Sequence, residues 1–496
     1  MPEREVKLEA APHFHLPDLG SLVPGIEAGA AVDKRLHTTY WDTADLRLAR
    51  WGCSLRFRRG EGWTVKLPAA REGDMLVRGE HTFPGGPKEP AAGAVDLLRA
   101  YVRDTPLLPA ATLSTRRVST MLKDERGAEV AEVVDDVVSV MDGRRLALRF
   151  RELEVEARDD STPVEVMQAI VGALRAAGAG APNPTAKHVR ALGPRSTELP
   201  EINLVDLEAE AVAGGAARRA IGASVVRLLR HDAGVRLGLD PEDIHQARVA
   251  TRRLRSDLRT FGSLLDPEWS EPLRDELGWI AALLGDVRDP EVMIERISGE
   301  LEDVDERRRG MPLLRLLSAD REKGRVALLE AFRSDRYVDL LNRLVDAAHT
   351  PRLSALADAP AAAALPPLAR RSWERLETKV RSLGRRPADG ELHEVRILAK
   401  RARYAAEAVA PVVGTRATEF AAAAAEVQTV LGDHQDAIVA GEWLREHAGQ
   451  LTARAAFVAG MLAEREHHRA GERRKAWPEA WDKLDRKRMR RWMDGD

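Results

Sequence analysis

The feature that most constrains the fold is an internal repeat in the second half of the chain. The string IHQARVATRRLR at 244–255 returns as LHEVRILAKRAR at 392–403, at an offset of 148 residues. About 40 residues after each histidine, LLGDVRD at 283–289 returns as VLGDHQD at 430–436, at an offset of 147. The repeat predicts two similar helical bundles related by a pseudo-two-fold axis, each beginning with a helix that carries histidine and arginine.

Each repeated helix has a stripe of basic side chains on one face. At about 100° per residue, positions 0, 3, 7, 10 and 14 of a helix lie within a narrow sector. The first stripe is His245, Arg248, Arg252, Arg255 and Arg259, and the second is His393, Arg396, Lys400 and Arg403. Stacked cations repel one another unless they meet acidic side chains, water or a polyanion. Because the stripe occurs twice, we expect anion binding, and a solvated or salt-bridged face is the alternative.

Length and composition limit the class of protein. A chain of 496 residues exceeds the size at which one hydrophobic core keeps growing, so several domains are expected. Hydrophobic residues at 44%, with no apolar run of about 18, predict a globular chain without a membrane span. The single cysteine, Cys53, and the charged first ten residues predict a cytoplasmic protein. The net charge of −2 requires that any affinity for polyanions comes from local clusters.

The first half of the chain has a different pattern of hydrophobic and polar residues from the second half. Up to about residue 190, short alternating runs separated by Gly, Pro and Asp predict strands, and 95–102 and 163–177 have helical spacing. Beyond Ile202, long Ala-, Leu- and Arg-rich segments predict helices alone. We therefore expect an α+β domain over 1–195, a linker over 196–202 and an all-α domain over 203–490, whose repeats span about 203–345 and 360–490.

One face of the predicted strands is charged. Residues two apart in a strand share a face. This alternation groups Glu3, Glu5 and Lys7, Arg56 and Arg58, Thr64 and Lys66, Arg78 and Glu80, and Glu152, Glu154 and Glu156. In a single strand such a face normally meets solvent. Because the pattern runs through several strands, a closed barrel with a polar lumen fits better than an open sheet.

A lumen of this kind suits a polyphosphate substrate. Arginine and lysine neutralise phosphoryl oxygens, and clustered carboxylates hold Mg²⁺ or Mn²⁺. Carboxylates facing a triphosphate without a metal would only repel it. The presence of both signs of charge therefore indicates metal-assisted phosphoryl transfer. The sequence contains neither a Walker-type glycine loop nor an HExxH pair.

The ordered motifs of the first half resemble those of the CYTH superfamily, the triphosphate tunnel enzymes. EREVK at 3–7 matches the ExExK motif, and the later motifs are YWDT at 40–43, SLRFR at 54–58, TVK at 64–66, RGE at 78–80, TRR at 115–117, AEVVDD at 131–136, ELEVE at 152–156 and TAK at 185–187. The helical half resembles the CHAD domain, whose motifs are the two His/Arg repeats. The tandem is similar to bacterial CYTH–CHAD proteins, some of which are inorganic triphosphatases.

This resemblance implies an eight-stranded antiparallel tunnel that hydrolyses inorganic triphosphate with Mg²⁺ or Mn²⁺, and a helical domain that binds inorganic polyphosphate. It implies a metal set of Glu3, Glu5, Glu152 and Glu154, with Glu156 as a further candidate. The implied catalytic residues are Glu3, Glu5 and Lys7. The implied phosphate-binding residues are Lys7, Arg56, Arg58, Lys66, Arg78, Arg117 and Lys187, and the implied polyphosphate-binding residues are those of the two stripes up to Arg255 and Arg403. Strand parity leaves open the choice between Arg116 and Arg117, and between Asp135 and Asp136.

Other functions remain open at this point. Thiamine triphosphatase and adenylyl cyclase activities occur on the same scaffold, and fold analogy cannot choose among them. A polyphosphate-binding or targeting protein without turnover is a second class. A third basic stretch over 465–491, interleaved with Trp477, Trp481 and Trp492, raises nucleic-acid binding as a third class. Nucleic-acid binding is not expected, because the chain has no recognisable module for it and no excess of positive charge.

Overall fold

The strands of the first half form one antiparallel sheet. In a computed structural model, which describes residues 2–21, 23–68, 70–72, 75–158, 162–204, 207, 211–304 and 306–494, only the backbone is described at 2, 3, 21, 70–72 and 75–78. The chain divides into two compact units, 1–201 and 202–496. The strands are β1 (Pro2–Ala10), β2 (Ile26–Ala28), β3 (Val32–Asp42), β4 (Ser54–Arg58), β5 (Gly62–Lys66), β6 (Ala70–Glu72), β7 (Met75–Phe83), β8 (Leu108–Asp124), β9 (Glu129–Asp142) and β10 (Arg145–Ala157).

Eight of these strands close into a barrel. Their order is β1-β10-β9-β8-β3-β4-β5-β7, and β7 pairs in turn with β1, where Glu3 lies opposite Arg78. The two short strands attach outside this ring, β2 to β8 and β6 to β7. Closure gives every long strand two neighbours and leaves no long edge exposed. The eight-stranded antiparallel tunnel expected from the sequence is confirmed.

Helices cover the apolar outer face of the barrel. The helices of this unit are α1 (Arg47–Arg50), α2 (Ala92–Leu97), α3 (Arg99–Val102), α4 (Val164–Ala176) and α5 (Lys187–Leu192). Leu8, Leu153 and Val155 point outward and pack in one cluster with Met167 and Ile170 of α4. The helices predicted over 95–102 and 163–177 are confirmed as α2 with α3 and as α4. The cover explains why the strands are apolar at these alternate positions.

The inward faces of the strands change character along the barrel. Leu113, Val138 and Phe150 lie on the same strand faces as Arg117, Asp136 and Glu152, but further toward one end. There they form a buried cluster with Tyr40 and Val140, and Ala191 of α5 packs against it. One end of the interior is therefore filled with apolar side chains, and the charged part of the interior lies beyond them.

The regular elements of the second unit, within its described residues, are helices joined by loops, some of which contain a 3₁₀ turn. The helices are α6 (Ala213–Leu237), α7 (Pro241–Thr260), α8 (Pro267–Asp303), α9 (Arg307–Arg333), α10 (Asp335–His349), α11 (Ala361–Arg381), α12 (Asp389–Val413), α13 (Thr415–His447), α14 (Ala453–Leu484) and α15 (Lys487–Arg490). This confirms the all-α domain expected from the sequence. Within the described residues, no helix has the length and apolar character needed to cross a bilayer.

The two repeated motifs occupy equivalent helices. The His/Arg strings lie on α7 and α12, and the LGD strings lie on α8 and α13. A Cβ atom at Gly285 would lie 3.6 Å from Nη2 of Arg248, and one at Gly432 would lie 3.5 Å from Nε of Arg396. Each repeated glycine thus leaves the surface of its helix open to the repeated arginine, and this contact links the two motifs within each repeat.

The tryptophans near the end of the chain belong to the core of the helical unit. Trp481 stacks on Trp373 of α11 with ring centroids 5.4 Å apart and an interplanar angle of 8°. Trp492 meets Phe420 of α13 edge-on, with ring centroids 6.1 Å apart. Trp477 is buried as well. These rings hold α14 and the last turns of the chain on the helical bundle, so they do not form an exposed stacking surface.

Candidate functional site

A cavity of about 230 Å³ lies within the charged part of the barrel. Its cationic lining residues are Lys7, Arg56, Arg58, Lys66, Arg117 and Lys187, and its carboxylates are Glu5, Glu61, Glu80, Glu154 and Glu156. Tyr40, Ser54, Ala186 and His188 complete the lining. The strands of the ring and the start of α5 thus bring together most of the residues implied by the sequence resemblance. The side chains of Glu3 and Arg78 lie outside the described part of the chain.

Glu154 of β10 is the centre of the charge network. Its side chain is 2% exposed and contacts the ammonium group of Lys7, its cross-strand neighbour on β1. Nζ of Lys187 and Nη2 of Arg117 each lie 2.9 Å from its carboxylate oxygens. Burial raises the pKa of Glu154, but the attraction of Lys187, Lys7 and Arg117 outweighs it and holds the pKa well below its usual range. Glu154 is therefore ionised at neutral pH.

Two buried lysines share this network. Nζ of Lys187 lies 2.8 Å from Asp136, 3.0 Å from Glu152 and 2.9 Å from Glu154. Burial lowers the pKa of Lys187, but the three carboxylates outweigh this effect and raise the pKa well above its usual value. Burial also lowers the pKa of Lys7, but the attraction of Glu154 and Glu5 outweighs it and raises the pKa above its usual value. Both lysines stay charged although they are removed from water.

The arginines on the other side of the cavity are held by two further carboxylates. Glu80 lies 3.2 Å from Nη2 of Arg56 and 2.9 Å from Nζ of Lys66. Arg58 lies 2.9 Å from Glu61 and donates through Nε to Oγ1 of Thr38 at 3.1 Å. These contacts hold the guanidinium groups in place, which reduces the reorganisation that anion binding in this cavity would need.

The geometry decides both alternatives that strand parity left open. Arg117 faces the cavity and donates to Asp136, its cross-strand neighbour, at 3.0 and 2.7 Å. Arg116 is 61% exposed and pairs with Asp33 at 2.7 Å on the outer surface. Asp136 is fully buried on the inner face, and Asp135 pairs with Arg151 on the other side of β9. Arg117 and Asp136 are the inward residues.

Three carboxylates in the cavity could hold a divalent cation. Glu5, Glu154 and Glu156 each offer an oxygen, and these oxygens lie within 4.8 Å of one another. Oε1 of Glu5 is buried without a hydrogen-bond partner, so it is available as a ligand. Oxygen donors from several carboxylates suit Mg²⁺ and Mn²⁺. Glu152, which was expected in the metal set, lies outside this group and contacts Lys187 and Arg190.

Several lining residues were not assigned a role from the sequence. Tyr40 and His188 stack on each other with ring centroids 5.1 Å apart and an interplanar angle of 26°. Glu61 and Glu80 supply the carboxylates for the arginines. Tyr40 and Glu80 lie within recognised motifs and His188 directly follows TAK, so motif membership was an available signal. Glu61 lies in a turn between β4 and β5, where no periodic pattern indicates it.

In the helical unit, four residues of the predicted stripes come together. Arg248 and Arg252 of α7 lie within electrostatic range of Arg396 and Lys400 of α12. Arg248 pairs with Asp289 at 2.7 Å, whereas the other three have no hydrogen bond or ion pair within the described residues. Burial, followed by repulsion from Arg252, Arg396 and Arg248, lowers the pKa of Lys400 to about 7. We call these four residues the central basic group.

The other residues of the stripes lie in different surroundings. Arg403 is 3.4 Å from Glu407 and lies over the ring of Tyr404. Arg255 packs over Gly278 of α8. His245 and His393 make no hydrogen bond or ion pair among the described residues, and Nδ1 of His393 is buried. The structure therefore divides each stripe instead of placing all its members in one site.

The Glu154 network leads to a test of stability against pH. The ionised carboxylate contributes stability above its unfolded pKa of about 4.3, and this contribution is lost as pH falls through the lower folded pKa. Glu154→Gln should lower the free energy of unfolding at pH 7 by about 3–5 kcal/mol, because buried cations lose their partner. In urea titrations, the difference in the free energy of unfolding between Glu154→Gln and wild type should become smaller below about pH 4. A difference in the free energy of unfolding that does not change with pH would contradict the network. Asp33→Asn, at an exposed ion pair, serves as the control.

Comparison with known proteins gives both halves of the chain a family. A family model of the CYTH domain matches residues 1–187, and a model of the CHAD domain matches residues 219–445. Two Mycobacterium tuberculosis proteins, Uncharacterized protein MT2285 and Uncharacterized protein Rv2226, are each 32% identical over 502 residues, which covers 93% of this chain and 94% of theirs.

Two solved structures are similar over about half of the chain. PptA from Streptomyces chartreusis is 25% identical with a TM-score of 0.47, covering 55% of this chain and 100% of its own. The CHAD domain from the plant Ricinus communis is 26% identical with a TM-score of 0.47, covering 57% of this chain and 95% of its own. From the family models and the full-length relatives, the chain belongs to the family of proteins in which a CYTH domain is followed by a CHAD domain.

Proposed function

We propose that the barrel hydrolyses inorganic triphosphate with Mg²⁺ or Mn²⁺, and that the helical domain binds inorganic polyphosphate. The domain limits of this proposal are 1–195 and 203–490, joined by a linker over 196–202. The observation that supports hydrolysis is the joint presence, in one cavity, of six cationic side chains and a group of three carboxylates. A site that only bound a polyanion could use carboxylates to position its cations, but it would gain nothing from the buried oxygen of Glu5 that has no hydrogen-bond partner and repels phosphate.

The lining of the cavity favours an inorganic substrate over one with an organic group. Among the described lining residues, the side chains are polar except for Ala186. The two aromatic rings, Tyr40 and His188, are stacked on each other. A nucleobase or a thiazolium ring would find little apolar surface among these residues to replace its contacts with water, and each of the two rings already uses one face for the other. A chain of phosphates, in contrast, has six cationic side chains in the lining as partners for its oxygens.

Different residues of the cavity have different roles in the proposed hydrolysis. Glu5, Glu154 and Glu156 would hold the cation, which when bound polarises phosphoryl oxygens and activates water. The six cationic side chains bind and orient the phosphoryl groups and offset the negative charge that spreads over them in the transition state. Addition of water breaks one phosphoanhydride bond and releases orthophosphate and pyrophosphate. Glu3, whose side chain is not described, stays a predicted catalytic and metal-binding residue.

The central basic group supports the second part of the proposal. Arg252, Arg396 and Lys400 make no ion pair within the described residues, although like charges this close repel one another. Asp289 and Asp436 lie within electrostatic range of Arg252 and Arg396, but neither forms an ion pair with them. A bound polyanion would supply the missing negative charge. His245, Arg255, His393 and Arg403 stay predicted polyphosphate-binding residues outside this group.

A substrate panel tests the proposal directly. Phosphate release should be fastest with inorganic triphosphate, compared with thiamine triphosphate, ATP and long-chain polyphosphate, and should require Mg²⁺ or Mn²⁺. Glu5→Gln removes a ligand for the cation and should lower turnover at least about 100-fold with the fold intact, whereas Asp33→Asn should leave it unchanged. Unchanged hydrolysis by folded Glu5→Gln would refute the metal assignment. No hydrolysis of any of the four by the wild-type chain would favour a binding protein.

Two adjacent arginines provide a matched test of the phosphate set. Arg117 lines the cavity, and Arg116 pairs with Asp33 outside it. Arg117→Gln should lower kcat/KM for triphosphate by about 10- to 100-fold, since a charge-assisted hydrogen bond contributes about 1.5–3 kcal/mol. Arg116→Gln should have wild-type kinetics. Equal effects of the two substitutions would mean that the inner face has been assigned to the wrong residue.

The lowered pKa of Lys400 predicts that polyphosphate binding depends on pH. The free protein holds Lys400 near half protonation at about pH 7, and a polyanion stabilises the charged form. Affinity should therefore fall as pH rises through 7, approaching about tenfold per pH unit above it at constant ionic strength. Lys400→Arg keeps its charge and should remove most of this dependence. Identical pH profiles of the two proteins in a binding titration would contradict the prediction.

A further inference from the structure

We infer that five arginines at one end of α7 form a second anion-binding site, which takes the phosphate groups of a polyanion that extends beyond the central basic group. The five residues, here called the arginine cluster, are Arg255, Arg259, Arg274, Arg375 and Arg401. They come from four helices, α7, α8, α11 and α12. This inference rests on the proposed polyphosphate binding and adds a location and a direction to it.

The guanidinium groups of the cluster lie within electrostatic range of one another. Arg259 lies within electrostatic range of Arg401, Arg274, Arg255 and Arg375, and Arg401 is in turn close to Arg375, Arg255 and Arg274. Burial, together with repulsion from the four neighbours, lowers the pKa of Arg259 to about 10. A guanidinium group is rarely shifted so far, and the largest effects on Arg259 are burial and the four neighbouring arginines.

Most of the cluster has no internal counterion. Arg255, Arg259, Arg375 and Arg401 make no hydrogen bond or ion pair within the described residues, and only Arg274 has one, with Glu271 at 2.5 Å. Nε of Arg255 is buried without a partner. Unpaired cations at this density destabilise a fold unless an anion joins them. The planar, multiply donating guanidinium group is well suited to the oxygens of phosphate.

The internal repeat shows that the site exists at one end only. At the offset of 148 residues, Arg401 corresponds to Arg253, and Arg259 corresponds to Glu407. Glu407 contacts the guanidinium group of Arg253 and lies 3.4 Å from that of Arg403. The second repeat thus has a carboxylate where the first has an arginine. At the end of the pseudo-symmetric surface near Arg253, the carboxylate of Glu407 neutralises the arginines. At the other end, near Arg259, the arginines keep their charge and can bind a ligand.

The spacing along α7 indicates the class of ligand. Arg252 of the central basic group and Arg259 of the cluster are seven residues apart, which is about 10 Å along a helix. A single orthophosphate ion cannot reach both groups. A linear chain of several phosphates, in contrast, is long enough to contact the central basic group and the arginine cluster together. We therefore assign linear polyphosphate, and not a single phosphate ion, as the ligand of the two groups.

The test uses the full chain and long-chain polyphosphate, with the dissociation constant measured over a range of salt concentrations. Arg259→Gln/Arg401→Gln should weaken binding at least about tenfold and make the salt dependence shallower by about two phosphate contacts. Arg253→Gln, the counterpart of Arg401 already paired with Glu407, should change the affinity less than about threefold. Glu407→Gln should tighten binding, because it releases Arg253 and Arg403.

The possible outcomes distinguish a failure of the arginine cluster from a failure of the proposed polyphosphate binding itself. Wild-type affinity and salt dependence in the Arg259→Gln/Arg401→Gln chain would overturn the arginine cluster, while loss of binding by Arg252→Gln/Lys400→Gln would still uphold the central basic group. No binding by the wild-type chain would refute both. Without polyphosphate, the Arg259→Gln/Arg401→Gln chain should have a Tm equal to or above wild type, because it has lost repulsion. A weaker affinity with that Tm excludes unfolding as the cause.

Discussion

The ion pairs of Glu154 are the contact on which the rest of the barrel interior depends. One buried carboxylate of β10 joins a lysine of β1, an arginine of β8 and a lysine at the start of α5. Removing one partner from a buried group of charges leaves the others uncompensated, so the set is stable only as a whole. The same contacts tie together strands that are distant in sequence and fix α5 against the barrel. Architecture and binding chemistry therefore rest on the same side chains.

The two domains hold their positive charge in opposite ways. In the barrel, carboxylates surround Lys187 and raise its pKa, so the cations are present before any ligand arrives. In the helical domain, Lys400 faces arginines and its pKa falls to about 7. If the barrel binds as proposed, its cations would exchange internal partners for a ligand and a metal ion. In the central basic group, only Arg248 has an ion pair within the described residues, so the proposed anion would supply most of the partners. Binding there should therefore be more sensitive to pH and salt.

The sequence predicted the elements and the charged faces well, because alternation with period two and the repeated helix motif are local signals. It could not choose between Arg116 and Arg117, since that choice depends on where β8 lies against β9. The carboxylate group of Glu5, Glu154 and Glu156 also needed the register of β1 on β10. In the structure, the members of each stripe lie in different surroundings, because α8, α11 and the helices of the second repeat pack against some of these residues and not against others. Periodicity within one helix carries no information about such neighbours.

The apolar cluster at one end of the barrel has a kinetic consequence. Phe150, Val138 and Leu113 fill that end, and α5 packs against the same cluster. If the barrel hydrolyses triphosphate as proposed, the substrate enters and both products leave through the remaining opening. Orthophosphate and pyrophosphate would then pass the same cations that attract the next triphosphate. Under that proposal we expect pyrophosphate, the more highly charged product, to leave more slowly, so that product release contributes to the turnover rate.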